Sequence, residues 1–129
     1  MTSSKKAARY GSRAEKKAAE QYNLELEGNH CSWHDAKRAD GTPVEIKAAA
    51  VERASGTEGR FRVFRKYHDK LRRADGLYCF VAYRPRGRGI TVTDMTTCHS
   101  SQLPLSTWYG AGGHRESEQR KIPVSAVFG

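Results

Sequence analysis

Glu15, Asp35, Glu45 and Lys47 are the residues of this 129-residue chain whose types and spacing could carry chemistry. Asp35 stands ten residues before Glu45-Ile46-Lys47, with an Asp40-Gly41 turn signal between them. Two carboxylates and a lysine converging on one exposed face make a site for a hydrated divalent cation. Mg2+ takes a few carboxylates and retains waters. Once bound, it polarises a phosphoryl oxygen and generates hydroxide. A lysine beside it positions the attacking water or stabilises the extra charge on the phosphorane.

Whether Asp35 meets Glu45 depends on the loop. A three-residue connection, Ala39-Asp40-Gly41 with Gly41 left-handed, pairs Arg38 with Thr42. Three steps back along each strand then put Asp35 opposite Glu45, with Cβ atoms roughly 5 Å apart. A two-residue loop at Asp40-Gly41 pairs Asp35 with Ile46 and sends the carboxylates to opposite faces. The sequence allows both loops, and only the first builds a site. Asp40 is nearer to Glu45 in sequence, but it belongs to the turn.

The elements that must hold these residues are legible from periodicity. Ala7, Gly11, Ala14, Ala18 and Tyr22 mark one face of a helix over about Lys5 to Tyr22. Glu15 lies at the edge of that stripe, able to point toward the buried side. Pro43–Ala48 alternates as a strand with Val44 and Ile46 on one face and Glu45 and Lys47 on the other. Val51–Gly59 reads as a loop and Phe61–Val63 as a short strand. A helix follows from about Arg65 to Ala74, with Phe64, Tyr67, Leu71 and Ala74 inward and Gly76 as its stop. Leu77–Tyr83, the most apolar run, reads as a central strand. Arg84–Gly89 reads as a turn, Ile90–Thr93 as a returning strand, and Ile122–Phe128 as a last strand. Ser106–Lys121 is Gly-rich and polar and fits no element. The sum is one α/β domain over residues 1–129, a small mixed sheet of about five strands flanked by two helices.

Charge narrows the partner. Lys and Arg number 23 against 14 Asp and Glu, a net charge of +9, which favours a polyanion, nucleic acid first. The excess concentrates in Arg60, Arg62, Arg65, Lys66, Lys70, Arg72, Arg73, Arg84, Arg86 and Arg88, interrupted only by Asp69 and Asp75. Such contacts give affinity without sequence information, and no helix-turn-helix or finger motif suggests base readout. No apolar stretch suits a membrane span and no secretory h-region is present, so an intracellular, cytoplasmic protein is expected. Three cysteines make no disulfide framework. Cys31-x-x-His34 with Cys98-His99 lacks zinc-ligand spacing in its second half. His68, Trp33, Trp108 and Tyr109 read as packing residues rather than as reactive or base-stacking ones.

A helix-borne Glu15, then Asp35, then Glu45-x-Lys47 leading out of a strand resembles the PD-(D/E)XK nuclease superfamily. Among its members the chain is most similar to archaeal-type Holliday-junction resolvases, over roughly Gly11 to Thr93. The stretch from about Thr96 onward is unmatched, and His34 stands where the pattern has a proline. The resemblance implies a restriction-endonuclease-like core and a metal-dependent DNA endonuclease. In it Asp35 and Glu45 hold Mg2+ (Mn2+ as substitute), Lys47 is the catalytic lysine and Glu15 an accessory acid. It implies a branched or duplex DNA substrate and roles in recombination and repair. A homodimer would supply the two sites that cutting both strands needs. Two alternatives stand beside it: a viral or defence endonuclease of the same chemistry, and a non-catalytic basic nucleic-acid-binding module.

Overall fold

The computed structural model describes residues 2–27, 33–103, 108–111 and 114–129, and the side chains of 8–27, 33–103, 108 and 118–129. Helix α1 (Thr2–Tyr22) is followed by strands β1 (Glu25–Leu26), β2 (Ala36–Lys37), β3 (Pro43–Ala50) and β4 (Arg60–Phe64). Helix α2 (Arg65–Arg73), β5 (Leu77–Arg86), β6 (Gly89–His99), β7 (Tyr109–Ala111), β8 (His114–Pro123) and α3 (Val124–Phe128) complete the chain. One sheet of five strands has the order β1-β2-β3-β5-β6, and a second of three has the order β4-β8-β7. Only the β3–β5 pairing in the first sheet is parallel, joined through β4 and α2 as a parallel pair requires. This mixed α/β architecture is the one a restriction-endonuclease-like core calls for.

β5 is apolar from Leu77 to Tyr83, where both of its faces are covered, and its end, Arg84–Arg86, is exposed. Cys79 and Val81 pack with Val44, Ile46, Ala36 and the small residues Ala14 and Ala18 of α1. Tyr78, Phe80 and Ala82 pack on the other side with Ala49, Leu71 and the inner face of the second sheet, Phe61, Val63 and Ile122. The alanines let α1 lie close against β3, β5 and β6. Among the described residues no helix is long and apolar enough to cross a membrane.

Several sequence expectations change. Val124–Phe128 is a short helix rather than a strand, because Pro123 ends β8 and Val124 turns back onto the core. A third helix therefore joins the expected two. Part of the unassigned Ser106–Lys121 stretch is β8, which builds the second sheet with β4. The Arg84–Gly89 segment is mostly strand: Arg86 pairs with Gly89 and only Gly87-Arg88 turn, with Gly87 at φ 60°. On α2 the buried residues are His68 and Leu71, while Ala74 is exposed. The left-handed residue after α2 is Asp75, at φ 54°, not Gly76.

Gly76 is needed for space instead. A Cβ there would collide with the Leu71 side chain, its Cγ at 2.7 Å, and approach the Pro43 carbonyl at 3.0 Å. Gly76→Ala is expected to cost about 1–3 kcal/mol of stability through overpacking. A denaturant midpoint equal to wild type would show that the α2–β5 corner gives way freely.

Candidate active site

The β2–β3 turn takes the three-residue form. Arg38 N–H donates to Thr42 O at 2.9 Å, Gly41 sits at φ 87°, and the strands pair Lys37 with Pro43 and Ala36 with Val44. One more step in that register sets Asp35 beside Glu45. The strand pairing stops there, and the Asp35 carboxylate takes over: its Oδ2 accepts the Ile46 N–H at 2.9 Å. Asp35 N–H in turn donates to Val44 O at 2.9 Å, and Asp35 O accepts from Glu27 N–H. A backbone-anchored aspartate is thus fixed at the point where β2 ends.

Glu45 and Lys47 project from β3 on the face that also carries Ala49. That face is not solvated, as strand alternation alone would have it, because the second sheet and α2 cover it. Glu45 retains 7% of its exposure. Lys47 Nζ lies 3.4 Å from Glu45 Oε2. Burial above all, then a hydrogen bond to Asp35, pushes the Glu45 carboxyl up from the ordinary 4.5 to about 9, against the opposing pull of the Lys47 ammonium. Glu15 is half-buried on α1, its carboxyl raised by burial and then by the charge of Asp35. The structure therefore brings Asp35, Glu45 and Lys47 together, and places Glu15, on the α1 side of the sheet, within electrostatic reach of Asp35.

Sequence reasoning missed Tyr78. It is Glu45's neighbour across the β3–β5 pair, buried, with its hydroxyl 2.7 Å from His68 Nδ1 and the two rings stacked. Burial and the nearby Glu45 charge hold the phenol protonated. His68 is a packing residue, wedged between Tyr78 and Trp108. Register is the only signal that could have found Tyr78, and β3–β5 pairing is not legible from local sequence.

Other candidates separate. Asp40 stays in the turn, its Oδ1 accepting from Thr42 N–H at 3.0 Å and Thr42 Oγ1–H at 2.6 Å. His34 is buried 3.6 Å from Glu27, whereas Cys98 and His99 lie on β6, with β3 and β5 between. Cys31 lies outside the described residues, as does the side chain of Tyr109. Trp33 and Trp108 pack against the core. All ten cations from Arg60 to Arg88 are exposed, with Arg65 paired to Glu118 at 3.1 Å.

The donor set fits a hard divalent cation. Among the described residues no three His, Cys, Asp or Glu side chains form a ready-made cage, and two carboxylates are what Mg2+ needs from a protein. A buried carboxyl that keeps its proton beside a second carboxyl is a place where a cation would replace that proton. Metal-free, the folded state holds a Glu45 proton that the unfolded chain releases near 4.5. Stability contributed by that group is therefore full below about 4.5 and lost as pH rises through about 9. Unfolding midpoints in EDTA should fall across that window, and Glu45→Gln should flatten the fall. Equal slopes in both proteins would place the proton elsewhere.

A family model described as the PD-(D/E)XK nuclease superfamily domain matches residues 1–129, including the C-terminal third. No curated protein and no solved structure matches the chain. The match brings with it metal-dependent nuclease chemistry on nucleic acid.

Proposed function

The chain belongs to the PD-(D/E)XK nuclease superfamily, and on that footing we propose that it is a Mg2+-dependent DNA endonuclease. The observation that carries this reading is the convergence of Asp35, Glu45 and Lys47 where β2 gives way to β3. Asp35 and Glu45 would hold the cation. Bound there, Mg2+ supplies a polarised phosphoryl oxygen and a water acidic enough to attack. Asp35 contributes a carboxylate oriented by the Ile46 amide, so little reorganisation is required of it. Lys47 brings an ammonium to the same point, placed to orient a water or to neutralise charge developing on phosphorus. Glu15, half-buried near Asp35, is an accessory acid that adds negative charge without joining the pair. The site's burial excludes bulk water and strengthens each of these charges.

Exposed cations supply affinity. The four-way junction is the preferred substrate in this reading, on the strength of the residue order Glu15, Asp35, Glu45-x-Lys47. Labelled four-way junction, linear duplex and single strand, each incubated with Mg2+ and with EDTA, test the proposal. Mg2+-dependent cutting with preference for the junction is expected. Binding without cutting in any arm would mean a non-catalytic module, and equal cutting of duplex and junction would remove the resolvase role. A separate expectation concerns the β5–β6 hairpin. Arg84, Arg86 and Arg88 changed together to alanine should lower the log–log salt slope of duplex binding by about 0.9 per lost phosphate contact. An unchanged slope would mean that this hairpin points away from DNA.

A further inference from the structure

The cations do not form one surface. β4 alternates, with Phe61 and Val63 turned into the core and Arg60 and Arg62 exposed. Arg62 pairs across the strands with Lys121 of β8, so the two side chains share the outer face of the second sheet. At such positions Cβ atoms lie roughly 5 Å apart, and like charges destabilise the pairing. Arg60 stands two residues from Arg62 on the same face. Arg53, in the loop before β4, adds to the positive field at Lys121 together with Arg60 and Arg62. Among the described residues none of these four has an acidic partner within ion-pair reach. Arg53 also lines a hollow with Arg84, Tyr10 and Tyr83, which extends the positive band to the β5–β6 hairpin. The acids nearby do not neutralise it: Glu52 lines the same hollow without an ion pair to Arg53, and Glu58 accepts the Ser125 amide.

Four like charges placed side by side weaken the fold unless something anionic occupies them. The inner face of this sheet packs on the face that carries Glu45 and Lys47, so the outer face lies about one sheet spacing, roughly 10 Å, from the site. We propose that the outer face of the second sheet, with Arg60, Arg62 and Lys121 and with Arg53 beside them, binds duplex phosphate backbone flanking the scissile phosphate. Arg53 and Lys121 are the residues this adds to the nucleic-acid surface. The duplex follows from the shape of the feature: a band of cations running from a sheet face to a hairpin, while among the described residues the exposed large apolar side chain is Leu26 of β1, outside that band. The inference rests on the nucleic-acid substrate of the proposed function, yet its test does not pass through cleavage.

Duplex affinity of Arg53→Ala/Arg62→Ala/Lys121→Ala is measured in EDTA by fluorescence anisotropy across a salt series. The log–log slope should be shallower than wild type by about 2.7, about 0.9 for each of three contacts. Without DNA at low salt, the variant should unfold no earlier than wild type, because repulsion has been removed. An unchanged slope overturns the proposal. So does weaker binding accompanied by early unfolding, which would make these cations structural. Loss of binding to phosphatidylserine vesicles with duplex binding intact overturns it as well. If wild type cuts no substrate while the slope still falls, the nuclease reading fails and this surface stands. If wild type cuts and the slope is unchanged, the reverse holds.

Discussion

Lys47→Ala and Glu45→Gln should each lower single-turnover cleavage with Mg2+ by at least about a hundredfold, the scale of losing one well-placed charge-stabilising group. Duplex affinity in EDTA should stay within about threefold of wild type in both. The separation follows from the layout. Glu45 is buried and Lys47 lies beside it, 3.4 Å from its carboxyl, whereas the cations of β4, α2 and the β5–β6 hairpin, which the proposal assigns to phosphate contacts, are exposed. Removing a carboxylate near DNA would ordinarily tighten metal-free binding. Here it should not at neutral pH, because the Glu45 carboxyl, pushed up to about 9, is already uncharged. Glu45→Gln keeps the shape and a hydrogen-bonding partner, so lost activity would not simply report misfolding. Wild-type cutting rates in either variant would sink the catalytic assignment.

Asp35→Asn should bring cleavage to background, while Asp40→Asn should leave it unchanged and cost at most about 1 kcal/mol of stability. Both residues precede Glu45, and only geometry separates them. Five residues of strand at about 3.3 Å each set Asp40 roughly 16 Å from Glu45, whereas two ligands of one Mg2+ must lie within a few ångströms of each other. Asp40 is exposed and occupied with the Thr42 amide and hydroxyl, and these bonds hold its carboxyl below the usual range. Asparagine can keep the acceptor that both positions use, so the substitution removes charge with little change of shape. At Asp35 that charge is what a cation requires. Cleavage lost in Asp40→Asn and kept in Asp35→Asn would overturn the assignment.

Much of this was legible locally. The Ala14–Ala18 stripe predicts where α1 meets the sheet, and a Gly at the left-handed turn position permits the register that sets Asp35 beside Glu45. The burial of Glu45 was not legible. Alternation in Pro43–Ala48 correctly divides the strand into two faces, but period 2 says nothing of what lies above each face. The covering layer is β4 and α2, and β4 is held in its sheet by β8, a polar stretch more than sixty residues past Glu45.

By itself the sequence determined the types of chemistry available: which carboxylates and lysine lie within a hairpin's reach, which helix faces are small, and how many cations await an anion. These depend on contacts a few residues apart or on plain counts. Only the tertiary structure decided that Tyr78 stands beside Glu45 and that Arg62 and Lys121 share a face. Each of those is a pairing across strands distant in sequence, chosen by burial of the whole apolar set rather than by any local preference. The same burial turned Glu45 from a solvated carboxylate into a carboxyl pushed up to about 9.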